Sequence, residues 1–327
     1  MTLPTLSVNN SSSMPQVNDR FTDIAFMQGD FQKVNTSPSQ TALSNWMWFL
    51  KYPLAFHLNF KPESPSISFK SGTAVHQYFQ NILTGKMKIG DVEKQYKFML
   101  DNTTFIEKEK AKGEVILKII KKMVADHLQM LMEISGNYME NWEVEVSFSN
   151  WYNNKYMGQT LNLATEGAID CRNQPLKIFT EHKNRFPRVY LSTAKKNKGK
   201  KVWNSSKPNK LKSPQFTHLI AISVYAHHLG KEYQPAILYC DEDGVMLFNP
   251  HNCEDLTFEG LKYYFNKFIQ INIQRQEMLR MADGSIKKLA CMVGVDWSEI
   301  KRSKDNIFLA HIQEEDMQKM ERFYDGL

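Results

Sequence analysis

The sequence predicts an α/β (α+β) chain in which helices cover both faces of a mixed β-sheet and a helical region precedes it. Three observations carry that expectation. Two short apolar runs flank the turn Arg172-Asn173-Gln174-Pro175, which reads as a β-hairpin. Between Glu107 and Ile134, residues Ile116, Ile119, Ile120, Met123, Val124, His127, Leu128 and Leu131 recur at helical spacing with lysines opposite. Farther on, strand-like runs at 236–240 and 245–248 alternate with helical patterns at 214–229 and 256–281, which implies helix layered on sheet.

Taken in order, residues 1–40 are rich in Ser, Asn, Thr, Gln and Pro and are expected to be largely irregular, with one short ordered piece near Phe21 to Met27. A helical region is expected over 41–135. In it, the aromatic stretch from Ala42 to Phe56 reads as a short helix stopped near Pro53. The next helix is expected to start at Ser71 as N-cap and to end near Gly85, with Val75, Phe79 and Ile82 on its apolar stripe. His76 then falls in the first turn or so, one position off the stripe, where it is either a hydrogen-bonding residue or a ligand. A strand is expected from Trp142 to Phe148, with Glu143 and Glu145 on one face. A core is expected over 136–281 and a C-terminal extension over 282–327, with an apolar piece at Ile307 to Ile312 and a polar helix.

Composition narrows the classes. Hydrophobic residues make up 42% and charged residues 23%, ordinary values for a globular chain with a sizeable core. The four cysteines, Cys171, Cys240, Cys253 and Cys291, form no Cys-x-x-Cys pair, so no zinc ribbon, iron–sulfur cluster or disulfide framework is expected. No apolar run reaches membrane-spanning length, and no secretory or mitochondrial leader is visible, so the expected home is the cytoplasm. The net charge of +6 is unevenly spread. Residues 183–212 hold eleven basic side chains and no acidic one, so the remaining 30 basic residues face 35 acidic ones. Arg185, Arg188, Lys195, Lys196, Lys198, Lys200 and Lys201 lie in this run, interrupted by Phe186, Tyr190 and Trp203 as platforms for unpaired bases. Such asymmetry points to a polyanion, while a solvated basic loop is the simpler alternative.

The chemistry centres on the hairpin. Side chains at i and i+2 of a strand share a face, so Glu181 and Lys183 point the same way, and pairing brings Asp170 to them. Two carboxylates gathered beside one amine call for a divalent cation, and oxygen ligands suit Mg²⁺. An ordinary surface Glu–Lys pair remains the alternative for the triplet alone.

Together these pieces resemble the PD-(D/E)xK nuclease superfamily, in its RecB-like branch, and are most similar to the mitochondrial genome maintenance exonuclease family and its phage-encoded relatives. The resemblance spans roughly residues 68–275 and rests on Ser71-Gly-Thr-Ala-Val-His76, Gly167-Ala-Ile-Asp170 and Glu181-His-Lys183. It implies a restriction-endonuclease-like core, with Asp170, Glu181, His76 and the main-chain carbonyl of His182 holding Mg²⁺ or Mn²⁺ and Lys183 assisting the attacking water. The chain departs from the family at its Gln-x-x-x-Tyr helix, since Leu219 stands four positions after Gln215 and Ala221 four before Tyr225, so that Gln215 or Tyr225 would keep half of that role. The implied function is a DNA exonuclease acting on single strands or frayed ends, in the host cytoplasm if phage-encoded. The alternatives are a structure-specific endonuclease of the same superfamily and a non-catalytic nucleic-acid-binding protein on a nuclease scaffold.

Overall fold

The structure is a computed structural model that describes residues 35–59, 66–136, 139–152, 155–156, 159–160, 163–192, 201–294 and 314–327. The expected ordered piece near Phe21 to Met27 and the apolar piece at Ile307 to Ile312 lie outside the described residues, as do Lys195, Lys196, Lys198 and Lys200.

The fold is α+β. Its central sheet is built from β1 (Asn35–Thr36), β2 (Trp142–Tyr152), β5 (Leu163–Asn173), β6 (Ile178–Asn184), β9 (Gln234–Asp241) and β10 (Gly244–Phe248). The order is β1-β5-β6-β9-β10, with β2 on the other side of β5. β2 runs antiparallel to β5, and β5 antiparallel to β6. β6 runs parallel to β9, which is antiparallel to β10. A parallel pair needs a crossover, supplied here by a helix at Phe216–Leu229. Two small hairpins, β3 with β4 (Lys155–Tyr156, Gln159–Thr160) and β7 with β8 (Arg188–Leu191, Trp203–Ser206), stand apart from the sheet.

The helices are α1 (Asn45–Phe49), α2 (Ile67–Leu83), α3 (Val92–Asp101), α4 (Glu107–Leu117), α5 (Ile120–Ile134), α6 (Phe216–Leu229), α7 (Phe258–Ala282), α8 (Ile286–Val293) and α9 (Glu314–Asp325). Five of these differ from the sequence expectation. Pro53 does not stop a helix, because α1 continues into a π-helical turn, Leu50–Leu54, whose wider ring accommodates a residue without an N–H. α2 starts five residues earlier than expected, capped by the Ser66 hydroxyl, which accepts the Phe69 N–H at 3.2 Å. Ser71 is instead buried within the helix and bonded to the Tyr96 hydroxyl at 2.6 Å, so His76 sits mid-helix. The Glu107–Ile134 pattern is two helices, with a break at Lys118 and Ile119. Both pack on α2 and α3, but α4 also meets β7 and β8 whereas α5 meets β9 and β10, and one straight rod would not serve both pairs of strands. α3, which buries Val92 and Tyr96, had no counterpart in the expectation.

Three apolar cores result. One lies between α2–α5 and the sheet, around Val75, Phe79, Tyr96, Ile116, Val124 and Cys171. A second joins the opposite face to α6 and α7 through Phe148, Ile169, Phe179, Ile222, Phe265 and Phe268. α6 buries seven consecutive residues, Leu219 to Tyr225, as its nearly all-round apolar sequence required. The third joins the N-terminal helix to the C-terminal ones, with Trp48, Phe49, Leu50 and Leu54 against Leu279, Leu289, Met320 and Phe323. Among the described residues no helix is long and apolar enough to cross a membrane.

Candidate active site

The site lies where two strands part. β5 and β6 pair from Asn173–Ile178 to Cys171–Thr180, about a turn at Gln174–Lys177, two residues later than expected. On the same side, β1 meets β5 at Ala164 and Thr165. Among the described residues, Glu166–Asp170 therefore have a strand neighbour on one side only, β2. In place of a further rung, the His182 N–H donates to Asp170 Oδ2 at 2.7 Å. The carboxylate satisfies a backbone donor that the parting would otherwise orphan.

Glu181 follows on β6, 3% exposed. Its Oε1 lies 2.5 Å from Lys183 Nζ, and its Oε2 has no hydrogen-bond partner. Burial, then the neighbouring Asp170 charge, pushes its carboxyl up to about 7 against the pull of Lys183. Burial raises Asp170 too, opposed by Lys183 and by the His182 N–H. Burial by itself would lower the Lys183 amine, but Glu181 and Asp170 outweigh it and hold it above its ordinary range. Lys183 is thus a fixed cation across the physiological range.

His76 reaches the same point from α2. Its Nε2 stands 3.6 Å from Asp170 Oδ1 and 3.8 Å from Glu145 Oε1, without a hydrogen-bond partner. Burial lowers its pKa despite Glu145 and Glu181, which favours the neutral ring that can ligate. Of the two glutamates expected on β2, Glu143 turns away, its carboxylate held by Arg172 Nε at 2.8 Å. Glu145 turns in. It lies between the rungs Val144–Cys171 and Val146–Ile169 with φ of +53°, and Gln80 Nε2 donates to its Oε1 at 3.0 Å. For a non-glycine residue that backbone costs on the order of 1–2 kcal/mol. Glu145→Asn should therefore raise the stability of the metal-free protein by about 1 kcal/mol, since Asn tolerates this region. Thermal melts check this, and a lower Tm would mean that the glutamate backbone is not strained.

Behind β6 the His182 ring enters a closed chain. Thr180 Oγ1 lies 2.8 Å from His182 Nε2, His182 Nδ1 lies 3.1 Å from His127 Nδ1, and His127 Nε2 lies 3.0 Å from Asn184 Oδ1. An amide oxygen only accepts, so His127 carries its proton on Nε2 and accepts at Nδ1. His182 then carries its proton on Nδ1 and accepts from the Thr180 hydroxyl. Burial keeps both rings neutral, lowering His127 to about 4 and His182 well below its ordinary value. Asn184 Nδ2 also reaches Gly72 O at 3.5 Å, tying β6 to the helix that carries His76.

From the other face, Tyr225 stands near Asp170 and Glu181, which, after burial, raise its hydroxyl further. Gly167 is required by Phe148 rather than by Tyr225, because a Cβ there would lie 2.8 Å from the Phe148 ring but at an ordinary 3.5 Å from Tyr225 Cε1. Gln215 is not brought into the cluster. It precedes α6, and its N–H donates to Tyr239 Oη at 3.0 Å. His218, which the sequence reading passed over, bonds the same hydroxyl. Its seven-residue spacing from Tyr225, two helical turns on one face, is the signal that would have found it.

The basic run is less free than its sequence implies. Arg185 bonds Asn209 O and faces Asp241 Oδ2 at 3.5 Å. Lys201 Nζ pairs with Glu107 Oε2 at 2.7 Å, and Lys207 with Asp243. Phe186 packs into the helical core, and Trp203 is half-buried in β8, whereas Arg188 and Tyr190 on β7 are exposed.

Among the described residues, no three His, Cys, Asp or Glu side chains stand already spaced around a common point as a metal site. Glu181 is instead drawn onto Lys183, and Asp170 onto the His182 N–H. The donors nevertheless suit a divalent cation, because the buried Glu181 Oε2 and His76 Nε2 are both orphaned beside Asp170.

No protein-family model matches the chain, and no curated protein matches it. A solved structure described as the crystal structure of SSO0001 aligns with 55% of this chain and 84% of its own length, at 14% identity and a TM-score of 0.25.

Proposed function

We propose that this chain is a Mg²⁺- or Mn²⁺-dependent nuclease of the RecB-like PD-(D/E)xK class, acting as an exonuclease on single-stranded DNA or frayed ends. The observation that carries the reading is the pair of orphaned donors, Glu181 Oε2 and His76 Nε2, facing Asp170 with the Lys183 amine 2.5 Å from Glu181. Asp170, Glu181, His76 and the His182 main-chain carbonyl would hold the cation. When bound, it would lower the pKa of a water and offset phosphate charge. Lys183 keeps a positive charge where the attacked phosphate gains negative charge. Asp170, bound to the His182 N–H, keeps β5 and β6 in fixed relation, and Tyr225 walls the site against bulk water.

The exonuclease form is supported by how the basic hairpin is held. α4 packs on β7, β8 and α2, and the Lys201–Glu107 pair joins helix to hairpin, so the basic hairpin is anchored to the helical layer that carries His76. A hairpin anchored there would suit a strand end better than continuous duplex. End-labelled linear and circular single strands of one sequence, incubated with Mg²⁺ with and without EDTA, test this. Linear DNA should shorten progressively only with Mg²⁺, while circles persist. Circles cut as fast as linear strands would make the enzyme an endonuclease, and binding without any cleavage would leave a non-catalytic scaffold.

A further inference from the structure

We propose that His218 is a phosphate-binding residue of this site: a neutral imidazole whose outward Nε2–H, fixed in place by Tyr239, donates to a non-bridging oxygen of the bound strand. The proposal rests on the nuclease reading above and adds to it a contact that no sequence motif supplied.

The proton's position follows from the hydrogen bonds. Gln215 N–H can only donate, and it donates to Tyr239 Oη at 3.0 Å. His218 Nδ1 lies 2.7 Å from the same oxygen, which is 1% exposed as a residue and makes no other hydrogen bond among the described residues. If Nδ1 carried the proton, the hydroxyl hydrogen would be buried without an acceptor. The satisfied arrangement has Tyr239 donating to a bare Nδ1, and 2.7 Å suits a hydroxyl donor better than a ring N–H. The neutral ring then has its hydrogen on Nε2. Burial and the Lys183 ammonium lower the His218 pKa to about 3, so the ring is neutral near pH 7.

Its place points to the same use. Tyr239 is the register neighbour of Lys183 in the parallel β6–β9 pair, so the histidine hangs over the lysine end of the site. Tyr225 stands over the carboxylate end. The two lie seven residues apart on one face of α6, about 10 Å along the axis. His218 is half-exposed and sits in the first turn of α6, whose leading N–H groups favour anionic oxygen. A strand whose reacting phosphate meets Asp170, Glu181 and Lys183 would therefore present a neighbouring phosphate to His218.

The test uses full-length protein and a fluorescein-labelled 12-mer of thymidine with Ca²⁺ in place of Mg²⁺, read by anisotropy across a salt series. His218→Ala should weaken binding roughly tenfold, the loss expected for one hydrogen bond to a charged group, with an unchanged slope of affinity against salt because no charge is removed. His218→Gln, which keeps a donor, should recover part of the loss. Nitrogen NMR of the wild type should place the ring proton on Nε2 at pH 7, and Tyr239→Phe should abolish that preference. A wild-type protein that binds no strand overturns both this proposal and the nuclease reading. Wild-type binding with an unaffected His218→Ala variant, a proton found on Nδ1, or a slope reduced by about 0.7 as for a charged contact overturns this proposal alone.

Discussion

Asp170→Asn is expected to stabilise the metal-free protein while removing cleavage. Asp170 is the second-largest cause, after burial, of the raised Glu181 pKa, so the two carboxylates oppose each other's ionisation. A carboxyl held at about 7 in the folded state, against an ordinary 4.5, binds its proton more tightly folded than unfolded. Its stabilising contribution is therefore complete below pH 4.5 and is lost as pH rises through 7, on the order of 3–4 kcal/mol if the whole shift counts. Lys183, held above its ordinary range, contributes fully throughout that window and adds no slope. The buried histidines, whose pKa values are lowered, lose stability as pH falls, but they are common to both proteins and cancel in the difference. Asn keeps an oxygen for the His182 N–H and removes the charge. In EDTA at pH 8 the variant should melt about 2–6 °C higher than wild type, with a smaller gap at pH 5. Mg²⁺ should raise the wild-type Tm and leave the variant's nearly unmoved, and cleavage should fall at least about 100-fold. A variant less stable than wild type at pH 8 would mean that Asp170 is held by attraction, and the cation reading would lose its electrostatic basis.

His182→Ala is expected to act in the opposite sense, lowering stability by about 2–4 kcal/mol with little effect on metal affinity. The substitution opens a cavity among Phe79, His127 and Thr180, and it leaves His127 Nδ1 and Thr180 Oγ1 without their partners. The main-chain carbonyl assigned to the cation is unaltered. Urea denaturation beside Mn²⁺ titration at 25 °C separates the two effects. An unchanged midpoint with a large drop in affinity would make the His182 ring itself a ligand.

What the sequence could and could not disclose follows the range of the forces involved. Strand alternation is local, and it was enough to bring Asp170, Glu181 and Lys183 together, as the structure places them. The layering of helices on a mixed sheet was equally legible, because apolar period and turn residues lie within a dozen positions. The start of α2 was misread because Ser66 and Ser71 are equally good caps locally; the burial of Ile67 and the Tyr96 hydroxyl, 25 residues from Ser71, decide between them. Nothing near Glu145 announces a left-handed backbone, and the side chains it meets, Gln80 and His76, lie on another element. The basic run looked uncompensated because its acidic partners Glu107, Asp241 and Asp243 are distant in sequence.

The third core has a consequence for how the chain is made. Asn272 bonds Thr41 across 231 residues, while Arg275 holds Leu43 O and lies over the Trp48 ring at 5.0 Å. Trp48, Phe49 and Leu54 therefore have no permanent cover until α7–α9 have left the ribosome. At about 5–20 residues per second that wait is on the order of 10–50 s, during which an aromatic helix stands exposed on a nascent chain. Slowing elongation after α6 should lengthen that interval and, with it, the time during which this segment recruits a holding chaperone or a second nascent chain.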